Sequence, residues 1–164
     1  MKKFLHIFIF TVIAGATWES HAQNPKIDSL LALIKTDKED TTKVKHLNNL
    51  SREYTNISMF GYGFNYSKQA LQLAQHLLFK KGIAYAYNNT GIIYDDQRMH
   101  ADALKNYFAS LKIMKEIGDK PGIGRSSISI GNIYLEQGEY SPAIKYYIAA
   151  LKMHEDIGDK KSIS

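Results

Sequence analysis

The sequence predicts an all-α fold, a right-handed solenoid of antiparallel helix pairs, and two observations carry that expectation. The first is an internal duplication. Laid on 122–161 without a gap, residues 82–121 agree at sixteen of forty positions. The shared residues include Gly91/Gly131, Tyr94/Tyr134, Gln97/Gln137, Ala103/Ala143, Tyr107/Tyr147 and Leu111/Leu151. Both copies close on Ile-Gly-Asp-Lys, at 117–120 and 157–160. A unit this short cannot bury an apolar face alone, so its copies stack into an array. The second observation is the apolar spacing. Ile83, Tyr87, Thr90, Gly91 and Tyr94 recur every three or four residues. So do Ala103, Leu104, Tyr107, Phe108, Leu111 and Met114. Each set falls on one face of a helix, so each unit holds two.

Punctuation within the units agrees. Gln137-Gly138-Glu139 separates the two halves of the later copy, with Ser141 as a candidate N-cap and Pro142 at the first helical position. Gly118 and Gly158 stand where a left-handed glycine would end the second helix.

These residues resemble the tetratricopeptide repeat family, in a 40-residue variant. The family pairs a small residue and an aromatic on the first helix with Ala, aromatic and Ala on the second. Here those are Gly91, Tyr94, Ala103, Tyr107 and Ser110, then Gly131, Tyr134, Ala143, Tyr147 and Ala150. Small residues let helices approach, and rings fill the space beside them. Two features depart from the pattern. The aromatic near the start of the first helix is Tyr87 in one unit and Ser127 in the other, and Lys115 and Glu155 stand nearest the family's proline. HEAT-type helix pairs share the period and stay open as an alternative on length alone.

In chain order, Met1-Lys2-Lys3 is followed by an apolar run at 4–16 and then Ser20-His21-Ala22. That is the pattern of a secretory signal peptide, residues 1–22, cleaved after Ala22. The run is too short to span a bilayer, and no membrane span is expected within 23–164. Residues 23–41 form an N-terminal helix with a linker, built on Ile27, Leu30, Leu31 and Ile34. Residues 42–81 read as a degenerate unit, keeping Asn48, Asn49, Tyr54, Met59, Leu71 and Lys80 in register with 82–121. Its second helix, starting in Gly61-Tyr62-Gly63-Phe64, is expected to fray or shift. Units then follow at 82–121 and 122–161, and 162–164 matches the opening of a fourth.

Composition narrows the function. Of 21 basic and 16 acidic residues, loss of Lys2, Lys3 and Glu19 leaves nineteen and fifteen, a net charge of +4. The basic residues are spread over all units, so this segment carries no nucleic-acid footprint. The chain contains no cysteine, so no disulfide framework is expected. His46, His76, His100 and His154 have no i,i+4 pairing, so neither a metal site nor a cofactor is expected. Gly118–Ser126 departs from the phosphate-loop pattern, with Ile123 at a required place and no strand before it. Asp95 and Asp96 point about 100° apart on a helix and cannot share a proton. Ser126, Ser127 and Ser129 have no base nearby in sequence. The reading is non-enzymatic.

The working surface is expected on the first helices, between the core positions. Those residues are Lys45, Asn48, Asn49 and Arg52 in the degenerate unit. The next unit supplies Tyr85, Asn88, Asn89 and Ile92, and the last Arg125, Ser129, Asn132 and Glu136. The resemblance implies that this face lines a concave groove for a peptide or partner protein. Asn89 and Arg125 match two of five positions of the family's clamp for terminal carboxylates; Asn48, Arg52 and Ser129 stand at the others. The expected function is an exported, non-catalytic interaction module in the periplasm or cell envelope. The alternative is the sensory front of a membrane-spanning signalling protein with a histidine kinase, cyclase or helix-turn-helix output, an architecture that resembles Bacteroidota signalling proteins.

Overall fold

The computed structural model describes residues 24–162; the expected signal peptide, Gln23 and Ile163-Ser164 lie outside the described residues. Within them the chain forms seven helices: α1 (Pro25–Thr36), α2 (Thr41–Asn56), α3 (Phe60–His76), α4 (Lys80–Asp96), α5 (His100–Glu116), α6 (Lys120–Glu136) and α7 (Tyr140–Ser162). Each packs on the next, and α2 also touches α4. The result is an all-α helical solenoid.

The turns explain the regularity. Left-handed residues occur at Ser58, Leu78, Arg98, Gly118 and Gly138, one every twenty residues. At each, the next amide reaches back five residues, as in Met59 N–H to Tyr54 O and Asp119 N–H to Met114 O. The left-handed residue itself bonds three residues back, as in Ser58 to Thr55 and Gly118 to Lys115. This pair of bonds is the Schellman motif, which satisfies the last carbonyls of a helix and reverses the chain. The expected glycine therefore ends α5 at Gly118. At Gly158 it does not: α7 runs through it to Ser162. Ser141 and Pro142 are also displaced from their expected roles. The turn at Gly138 returns the chain so quickly that α7 begins at Tyr140, placing both inside its first turn.

The degenerate unit is better ordered than expected. Far from fraying, α3 is seventeen residues long, as α5 is, and begins and ends in the same register. Gly63 is the reason. It takes the place of Ala103 and Ala143, and a Cβ on it would stand 2.6 Å from Thr55 Oγ1 and 3.2 Å from the Ser51 carbonyl. The helices cross at that point, and the Ser51 hydroxyl donates to the Gly63 carbonyl at 2.7 Å. In the later units, glycine and tyrosine trade places with serine: Gly91 lies against Tyr107, and Gly131 against Tyr147. In the first unit the equivalent pair is Ser51 and Ser67, both buried. One added side chain is thus compensated by one smaller one.

The core runs along the array between neighbouring helices. Ala103, Tyr107, Leu111, Ile130 and Ile133 join α5 to α6, while Leu47, Ala70 and Ala86 join α2, α3 and α4. At the front, α1 covers α2 as the sequence implied, with Ile27 and Leu30 against Leu50. Asn24 caps it and Pro25 opens it. At the other end, Ile144, Ile148 and Leu151 are exposed.

Candidate interaction groove

Helices α2, α4 and α6 bring their N-terminal halves together, and a cleft of about 390 Å³ opens between them. Six residues expected on this face line it: Lys45, Asn48, Asn49, Arg52, Tyr85 and Arg125. Phe79, Lys81 and Gly82 complete it. None of these three is in the expected set: Phe79 is the cap of α4, and Lys81 and Gly82 lie in its first turn, ahead of the first-helix positions that the repeat pattern marks.

Arg125 is held in place rather than free. Its Nη2 donates to the Tyr85 hydroxyl at 2.6 Å, and its guanidinium lies 5.2 Å from the Tyr85 ring centre. Lys81 approaches the same ring, at 6.0 Å, and pairs with Asp119 at 3.3 Å. A cation over an aromatic face gains electrostatically and loses side-chain freedom, so both charges are pre-positioned. Lys45 and Arg52 enter no ion pair among the described residues.

Two expected groove residues do structural work. Asn48 is buried and donates from Nδ2 to the carbonyls of Val44 and Gly82, at 3.1 and 3.3 Å. Asn89, equally buried, donates to the Asn48 carbonyl at 2.8 Å and to its Oδ1 at 3.3 Å. This ladder ties α2 to α4. A buried amide must find partners, and here the helix backbones supply them. The clamp-like role suggested for Asn89 is therefore not available to its bonded Nδ2.

The remaining positions spread along the same helices. Ile92 and Asn89 line a smaller cleft of about 200 Å³ with Arg52, Thr55 and Asn56. Asn88 is half-buried with its Oδ1 lacking a hydrogen-bond partner among the described residues. Ser129 is half-buried, and Asn132 accepts from the Tyr147 hydroxyl at 2.8 Å. Glu136 pairs with Arg98 at 2.5 Å and stands 3.5 Å from His100. With Asp95, Asp96 and Arg98 it surrounds a separate hollow at the C-terminal ends of α4 and α6. Burial raises the carboxyl of Asp95 above the usual range, with the nearby Glu136 charge adding to the effect. Burial alone raises that of Asp96. The Tyr107 hydroxyl donates to Asp95 at 3.4 Å, and burial with the Asp95 charge pushes that phenol upward.

No cluster of three metal-ligating His, Asp or Glu side chains occurs among the described residues. Nor is any described helix long and apolar enough to cross a membrane. Ser126 and Ser127 are buried, and Ser126 Oγ lies 3.3 Å from Ser110 Oγ, so they serve helix packing.

Comparison with known proteins agrees with the helical-repeat fold. The model of the tetratricopeptide repeat family matches residues 82–156, from α4 into α7. Together with the helical architecture, that match supports a tetratricopeptide repeat protein. Among solved structures, the chain is similar to BtubC (BKLC) from P. vanneervenii, with a TM-score of 0.67 and 19% identity. That match covers 80% of this chain and 55% of BtubC, so the chain spans about half of its neighbour's length. MamA is also similar, at 24% identity and a TM-score of 0.45, over 81% of this chain and 89% of MamA. No curated protein matches the chain.

Proposed function

We propose that this chain is an exported, non-catalytic interaction module that holds a peptide or a segment of a partner protein against α2, α4 and α6. One observation carries the reading: the cleft at the meeting of three helices gathers residues from three successive units, Arg52, Tyr85 and Arg125 among them. A repeat array has one continuous face per helix set, and a partner laid across it touches every unit. The exposed amide of Asn49 and the Arg52 guanidinium offer donors suited to an extended backbone. Export to the periplasm or envelope rests on the 1–22 pattern alone.

The same module would serve as the sensory front of a membrane-spanning signalling protein. A downstream reading frame with an apolar span of about twenty residues and an output domain would establish it.

The interaction reading is tested by photo-crosslinking. A benzophenone side chain placed at Asn49 should capture peptides selected for binding, and one placed at Lys112, on a second helix, should not. Equal capture at both positions would move the binding face away from the groove.

A further inference from the structure

The charge of the cleft between α2, α4 and α6 is one-sided. Lys45, Arg52, Lys81 and Arg125 all line it, and no carboxylate does. Among the described residues, only Lys81 of these four has an acidic partner, Asp119. The hollow at the opposite ends of α4 and α6 has the reverse character, with Asp95, Asp96 and Glu136 against Arg98. Building on the groove reading, we propose that the cleft binds an acidic peptide segment through several Asp or Glu side chains at once.

The spacing of the cations decides between one carboxylate and several. Lys45 and Arg52 lie two turns apart on α2, about 10 Å along its axis. Lys81 lies in the first turn of α4 and Arg125 in the second turn of α6. A single terminal carboxylate reaches one or two of these groups and leaves the rest uncompensated. An extended acidic peptide repeats its side chains on one edge about every 7 Å, which suits charges distributed over three helices. Arg125 is pre-organised by Tyr85, so little freedom is lost when it pairs. Phe79 and Tyr85 supply apolar contact for the stems of glutamate side chains.

The test uses the intact protein and labelled peptides in fluorescence anisotropy. The probe is a Glu-rich hexapeptide, acetylated at its N-terminus and amidated at its C-terminus. Its companions are the Gln-for-Glu peptide in the same blocked form and that Gln peptide with a free carboxylate. The blocked acidic peptide should bind about 10-fold or more tighter than the blocked Gln peptide, and its affinity should fall with salt. Lys45→Glu with Arg52→Glu should abolish the preference, with helical circular dichroism unchanged. Lys112→Glu with Lys152→Glu, exposed on the second helices, should preserve it. Equal binding of the two blocked peptides, still mapped to the groove by crosslinking at Asn49, would overturn the acidic preference and leave the groove reading standing. Binding that requires the free carboxylate would replace the proposal with a terminal-carboxylate site. Loss of the preference in the second-helix variant instead would overturn both readings. Absence of binding by every peptide would overturn the acidic proposal, and crosslinking would then judge the groove separately.

Discussion

A Cβ built on Gly91 would stand 2.6 Å from two ring carbons of Tyr107, a side chain that is itself fully buried. The ring has nowhere to move, so Gly91→Ala should cost about 1–3 kcal/mol, as overpacking does. Gly124 is also buried in a helix, yet its added Cβ would meet nothing closer than His154 Nε2 at 3.6 Å. There the helix preference for alanine is uncompensated, and Gly124→Ala should stabilise by up to about 1 kcal/mol. Urea melts of the two variants should shift in opposite directions; a shared sign would mean that ring packing does not set the glycine requirement. Asp95 makes a second residue-scale case. Its folded carboxyl titrates above the ordinary aspartate value because burial penalises the charge. Between the two values the folded state holds more protons than the unfolded one, so this contribution is fully present below the unfolded value and is lost as pH rises. Asp95→Asn should flatten the decline in stability from about pH 4 upward, and melts taken across that range would reveal it. An unchanged slope would show that Asp95 does not contribute to it.

Helices with the same sequence register differ in what covers them. Leu111 on α5 is 5% exposed, packed in the cluster with Ile130 and Ile133 of α6. Leu151 holds the matching place on α7 and is 58% exposed, because no helix follows α7 among the described residues. The duplication in sequence implied equal burial; the neighbour decides otherwise. Leu111→Ala should therefore cost about 2–5 kcal/mol, as a buried leucine does. Leu151→Ala should cost under about 1 kcal/mol, closer to a surface change. Equal costs by denaturant titration would show that α7 is covered in solution. The same logic applies to the turns. Ser58, Leu78 and Arg98 occupy left-handed conformations that Gly118 and Gly138 adopt without steric cost. Glycine marks two of these turns in the sequence, at Gly118 and Gly138, because the residue type alone carries the signal. The other three are imposed by helices already packed on both sides.

Across the whole molecule, stability is passed between neighbours, since each helix packs on the next and the array has no single centre. Among the described residues, interior helices gain two covered sides and α7 one. Native-state hydrogen exchange should accordingly give the greatest protection in α4, α5 and α6, and earlier opening in α7. Uniform protection, with α7 exchanging only by global unfolding, would mean that the array behaves as one cooperative block. The groove belongs to this scale too. Its N-terminal cleft needs α2, α4 and α6 together, and Arg125 meets Tyr85 from forty residues away.

The sequence by itself determined the helix pairs, their register and the face on which six groove residues would gather. It could do so because the small and aromatic positions recur with the helical period, and that period fixes which side chains share a face. Tertiary structure decided what each residue on that face does. Asn48 and Asn89 looked like groove donors until the approach of α4 to α2 turned them inward as a hydrogen-bonded ladder. Gly63 looked like a weak helix start until the close crossing with Ser51 made its missing side chain the condition for order. Leu151 looked like Leu111, yet among the described residues no helix covers it and it stands open. Local periodicity assigns a side chain to a face, but burial and hydrogen-bond partners depend on the distance to the next helix. That distance is a property of the assembled array.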